Sequence, residues 1–65
     1  MTAAEFLQQA RAELGTVYDR KGVDTYLRSY NRNLGGIPAE LIHAGHGQLV
    51  LAETRRLNVS GVPGR

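Results

Sequence analysis

His43 and His46 stand three residues apart, and Glu40 is the only carboxylate near them. Histidine is the commonest metal ligand, but a site needs three or four converging donors. These two are therefore expected to be solvated or capping side chains, and no metal is expected. The chain has no cysteine, so it holds neither a thiolate nucleophile nor a Cys-based zinc site. Its serines and threonines stand in no order that would form a Ser-His-Asp relay. Gly35-Gly36 is not a phosphate loop, since no strand precedes it and no Gly-Lys-Ser/Thr follows. The six carboxylates, Glu5, Glu13, Asp19, Asp24, Glu40 and Glu53, are dispersed, and none pairs into an acid–base dyad. Tyr26 and Tyr30, four apart, suit a core edge better than a base-stacking platform, which usually comes with a basic groove. Neither an enzyme nor a cofactor is expected.

The elements that position these residues must fit in 65 residues, enough for one small domain. Without disulfides, stability must come from helix packing, a partner or self-association. The net charge of +2 is mild, and Arg11, Arg20-Lys21, Arg28, Arg32, Arg55-Arg56 and Arg65 are scattered. That is not the dense footprint of an autonomous DNA-binding domain. No apolar run reaches the roughly 20 residues that span a bilayer. Met1 to Glu5 does not read as a signal peptide, so a cytoplasmic location is expected.

Thr2-Ala3-Ala4-Glu5 has the form of a capping box. The helix it starts carries Phe6, Leu7, Ala10 and Leu14 on one face and is expected to end near Leu14, with Gly15 in a left-handed conformation. Thr16 to Gly22, which contains the polar break Asp19-Arg20-Lys21-Gly22, fits either a short turn of helix or a loop. Val23 to Tyr30 reads as a second helix, with Val23, Tyr26, Leu27 and Tyr30 at helical spacing. Asn31 to Gly36 is a turn, because Asn and Gly tolerate positive φ. Pro38 suits a first helical position, and a short helix should follow to about Ala44-Gly45, with Leu41 and Ile42 facing the core. The last helix is expected over about Gln48 to Leu57. Leu49, Val50, Glu53 and Leu57 would share a side, with Leu51 off that face. Asn58 to Arg65 is expected to be a flexible tail. The fold class is therefore all-α, a small bundle of about four short helices in a single domain over residues 1–65.

A stretch running from Tyr26-Leu27 through Asn31, Leu34-Gly35-Gly36 and Pro38 to Leu41-Ile42 resembles the toxin-binding domain of bacterial antitoxins of the Xre, MbcA and ParS type. The similarity continues into the Leu- and Val-rich segment from Gly47 to Leu57 and the closing Gly61-Val62-Pro63. It departs at Tyr26, where the family usually has Trp, and at Arg32, where Pro is common. One residue, Ile37, stands between Gly36 and Pro38, where two are usual. The family's usual N-terminal DNA-binding helix-turn-helix has no counterpart, so the chain is expected to be a free-standing toxin-binding domain, either a fragment, a stand-alone antitoxin or a phage-borne protein.

What this resemblance implies is a non-enzymatic antitoxin whose partner is a RES-domain toxin, an NAD-consuming protein. Asn58, Val59, Ser60, Gly61, Val62, Pro63, Gly64 and Arg65 would plug the toxin's NAD-binding cleft, flanked by Arg55 and Arg56. The alternative is a small DNA-binding or phage repressor-related protein, with Pro38 to Ala44 as a recognition helix. That helix offers only Glu40 and His43 as polar readers, whereas base readout draws on Arg, Lys, Asn or Gln. A third possibility, a structural homo-oligomer, rests on Val50 and Leu51 lying on different faces of the last helix.

Overall fold

The structure, a computed structural model, describes residues 1–60, the last two by backbone alone. It is all-α, with four helices: α1 (Ala3–Leu14), α2 (Arg20–Arg28), α3 (Pro38–His43) and α4 (Gly47–Ser60). Among the described residues no helix is long and apolar enough to cross a membrane. α1 and α4 form the principal pair, and α3 touches all three other helices. The core between them is Ala10, Leu14, Val23, Leu27, Ile42, Val50 and Leu51. Thr54 is buried with them, and its hydroxyl donates to the Leu51 carbonyl at 2.9 Å, so no polar hydrogen is stranded.

α1 starts at the expected capping box. The Glu5 N–H donates to Thr2 Oγ1 at 3.1 Å, and the Thr2 N–H donates to Glu5 Oε1 at 2.7 Å. Its end differs from expectation. Gly15 is right-handed, at φ −64°, because the chain leaves α1 through further turns without reversing. The N–H groups of Val17 and Tyr18 both reach the Leu14 carbonyl, so no left-handed residue is needed. Among the described residues, the positive-φ glycines are Gly35 and Gly45. Gly45, at φ +95°, ends α3 in a Schellman arrangement: its N–H donates to Ile42, and the His46 N–H donates to Leu41.

α2 is shifted towards the N-terminus relative to the sequence reading. The supposed polar break is its first turn, because the Asp19 carboxylate accepts the Gly22 N–H at 2.8 Å and caps the helix. Val23 and Leu27 are its buried residues. It stops at Arg28, and Tyr30 lies beyond it, 67% exposed, so Tyr30 is not a core-edge residue. α3 begins with Pro38 at its first position and buries Pro38 and Ile42, with Leu41 partly covered.

α4 starts at Gly47 and runs further than expected, so Asn58, Val59 and Ser60 belong to its last turn and not to a tail. No helix breaker stands before Gly61. The rest of the expected tail, 61–65, lies outside the described residues. The buried face of α4 also differs: Leu51 is in the core, whereas Leu49 is 56% exposed. The two-faced contact inferred for Val50 and Leu51 is satisfied inside the bundle, which removes the motive for self-association through Leu51.

Gly47 packs directly against Phe6 of α1. A Cβ there would overlap the Phe6 ring, coming within 2.7 Å of its Cδ1. In an open helical position Gly→Ala stabilises by up to about 1 kcal/mol. Here Gly47→Ala is expected to destabilise by about 1–3 kcal/mol, the usual cost of overpacking. In a domain of this size that lowers Tm by roughly 4–8 °C per kcal/mol. Thermal unfolding followed by circular dichroism checks it, and adding Phe6→Leu should recover part of the loss.

Candidate functional site at the end of the last helix

The residues singled out by sequence fall into a corner and a helix end. In the corner, the Asn31 carbonyl accepts from the N–H groups of Leu34, Gly35 and Gly36, at 3.2, 2.8 and 3.3 Å. The Asn31 N–H returns to the Gly36 carbonyl at 2.8 Å. The Asn31 side chain adds two bonds, accepting the Leu34 N–H at 3.1 Å and donating to Tyr26 Oη at 3.1 Å. Gly35 turns the chain at φ +76°, and the Leu41 side chain lies 3.3 Å from where a Gly36 Cβ would sit. Leu27, Pro38 and Ile42 are buried, and Tyr26, Leu34 and Leu41 are partly buried. The corner faces inward and sets the angle between α2 and α3.

Asn33 carries the corner to α4. Its Nδ2 donates to Glu53 Oε2 at 3.0 Å, and Glu53 receives Arg56 through both oxygens, at 3.2 Å from Nε and 2.6 Å from Nη2. The Glu53 side chain is only 11% exposed. Arg56, and then Asn33, hold its carboxyl below the ordinary 4.5, against the opposing effect of burial. Burial, and then the negative Glu53, push the Tyr26 hydroxyl above its ordinary value.

At the far end of α4, Asn58 is half-buried against α1. Its Nδ2 donates to Glu13 Oε1 at 2.9 Å, and its Oδ1 accepts the Thr16 hydroxyl at 2.8 Å. The same hydroxyl lies 2.8 Å from the Glu13 carbonyl. Arg55 Nε stands 3.8 Å from Glu13 Oε2, a loose pair on an exposed side chain. The candidate partner residues therefore differ in surroundings. Arg55 and Arg56 are exposed, Asn58 is tied to α1, Val59 and Ser60 continue the α4 backbone, and 61–65 lie outside the described residues.

Sequence reasoning missed Glu13, Thr16, Asn33 and Glu53 as members of these networks. Each is an ordinary polar helix or turn residue in one dimension. His43 and His46 are both exposed, and no group of three His, Cys, Asp or Glu that could hold a metal occurs among the described residues. No family model matches the chain, and no curated protein or solved structure matches it.

Asn58→Ala should loosen the last turn of α4 while leaving the bundle folded. Amide exchange at residues 55–60 is expected to quicken by about tenfold, the loss of one or two side-chain hydrogen bonds. Unchanged exchange there would show that the α1–α4 staple does not hold the helix end.

Acid should weaken the fold through groups whose folded-state pKa is depressed. Glu53 is held down chiefly by Arg56, Asp24 by Arg11 and Glu5 by the Thr2 N–H. Their contribution is fully present above the ordinary carboxylate range and is lost as pH falls through the lowered values. Tm is expected to decline between about pH 5 and pH 3, the region where carboxylates take up protons. Arg56→Gln should flatten that decline, because Glu53 then titrates nearer its unfolded value.

Proposed function

We propose that the chain is a non-enzymatic protein-binding domain of the antitoxin type. Its partner is a RES-domain, NAD-consuming toxin, and the end of α4 with the residues after it covers the toxin's cleft. The observation that carries the reading is the exposed Arg55–Arg56 pair on a helix end that Asn58, Thr16 and Glu13 fasten to α1. A helix end held in this way meets a partner with little ordering cost, and arginine is enriched among residues that dominate interface energy. Of the residues that resemble the family, the stretch from Tyr26 to Ile42 forms a hydrogen-bonded corner that is engaged with the bundle, which supports seeking the contact at the α4 end. In this reading inhibition is steric, since a plug that excludes NAD needs no chemistry.

The test is NAD consumption by purified RES-domain toxins in the presence of the full chain, of a chain ending at Ser60, and of Arg55→Ala/Arg56→Ala. The cut falls after Ser60 because removing Asn58 would also undo the α1–α4 staple. The full chain is expected to protect NAD, and the shortened and doubly substituted chains to lose roughly 30-fold in potency, the scale of an interface hot spot. Full protection by both variants sinks the plug. Tight, salt-sensitive binding to duplex DNA in place of toxin binding would overturn the antitoxin reading altogether.

A further inference from the structure

Among the described residues the ion pairs are Arg11–Asp24, Arg55–Glu13 and Arg56–Glu53. Arg20, Lys21, Arg28 and Arg32 belong to none of them, and all four are exposed. Three of these cations share one strip of α2. Arg20, Asp24 and Arg28 follow at i, i+4 and i+8, and at about 100° per residue Lys21 falls beside Arg28 in projection. Arg20, Asp24 and Arg28 form one wall of an open cleft of about 780 Å³ between α1 and α2. Arg11 crosses that cleft from α1 and donates to Asp24 Oδ1 at 2.7 Å, so a residue of another helix neutralises the one carboxylate within the strip. Asp19, at its start, is occupied in capping α2. The strip is therefore positive along its length.

An aromatic ring stands at the end of this strip. Tyr30 follows Arg28 by two residues, beyond the end of α2, and is 67% exposed. Arg32 follows Tyr30 by two more. At no more than about 3.6 Å per residue, the Cα atoms of Arg28 and Arg32 both lie within about 7 Å of that of Tyr30. One ring and two long cationic side chains thus form a single cluster whatever their rotamers. Tyr30 is not among the residues packed against the core. The ring expected at a core edge instead extends a basic strip. A basic track with an exposed ring is the composition that holds unpaired nucleotides, because every base has a face that stacks.

We propose that Arg20, Lys21, Arg28, Tyr30 and Arg32 bind single-stranded nucleic acid, with backbone phosphates on the cations and a base stacked on Tyr30. Arg20 and Arg28 stand about 12 Å apart along the helix, at 1.5 Å per residue, so they engage different phosphates of one strand. A duplex fits less well, because its bases are already stacked and offer the ring no face. An acidic polypeptide would satisfy the charge and leave the ring without a role. Nor would it gain a pocket, since the mostly apolar notch of Tyr18, Gly22, Thr25 and Tyr26 lies round the helix from the strip. The site uses no residue of α4 and does not rest on the proposed toxin contact.

The test is fluorescence anisotropy of labelled twelve-residue oligothymidylate and oligouridylate titrated with the full chain, beside a duplex of the same length and with polyglutamate as competitor. Binding of either single strand more tightly than the duplex supports the site, and the tighter of the two identifies its sugar. Four neutralised phosphates give a slope of about −2.8 for log affinity against log salt concentration, at about 0.7 per phosphate. Arg20→Gln/Arg28→Gln should bring that slope to about −1.4. Tyr30→Ala should weaken binding about fivefold or more, the lower end of one base–aromatic stack, whereas Tyr30→Phe should retain it. These side chains are exposed, so the circular dichroism of each variant should match that of the unaltered chain. In the spectrum of the ¹⁵N-labelled chain, shifts should gather over residues 20–32. No binding at hundred-micromolar chain in low salt, equal or tighter binding of the duplex, full competition by polyglutamate, unchanged affinity of Tyr30→Ala, or shifts centred on Arg55 and Arg56 would each overturn the proposal.

Discussion

The fold depends on how closely α1 and α4 approach. Gly47 has no side chain because the Phe6 ring occupies that space. Among the described residues the core is small, seven buried hydrophobic side chains with Pro38 and Thr54 beside them, so the bundle has little reserve. With α4 seated there, Val50, Leu51 and Thr54 face the core, and Asn58 arrives beside Glu13 and Thr16. The helix consequently has a partner for its last described turn. A displaced α4 would lose the staple and with it the placement of Arg55 and Arg56.

The connection between α2 and α3 solves a different problem. A six-residue turn must reverse the chain without stranding polar groups against the core. Asn31 does this by accepting three main-chain N–H groups on one carbonyl and bonding Tyr26 and Leu34 through its side chain. Asn33 then joins the turn to Glu53, which in turn fixes Arg56. Buried packing and surface charge are thereby coupled along one chain of contacts. That chain of contacts ends at Arg56, one of the two exposed arginines near the end of α4.

Local signals were legible where they had a single physical meaning. The Thr2–Glu5 capping box and the Pro38 start of α3 are complete within a few residues, and both stand in the structure as written in the sequence. Asp19 was not legible in the same way. Asp-Arg-Lys-Gly looks like a break until the carboxylate is seen to accept the Gly22 N–H. Gly15 misled for a related reason. Glycine permits a left-handed end, but only the path of the next segment decides whether one is used, and Gly45 is where it was needed. On α4, helical spacing alone could not choose between Leu49 and Leu51. A face is selected by what packs against it, and α1 and α3 selected Leu51.

The sequence by itself determined an all-helical chain, its turn at Asn31 to Gly36 and the approximate places of four helices, because these rest on capping, propensity and periodicity over short range. It also marked Arg55 and Arg56 as neighbours on one helix. Only the tertiary structure decided that Asn58 belongs to a helix and meets Glu13, 45 residues earlier. Only the tertiary structure brought Arg11 of α1 onto Asp24 of α2. These contacts join residues on different helices, and their existence depends on helix axes that no local pattern contains. Between α1 and α4, the absent side chain at Gly47 leaves room for the Phe6 ring.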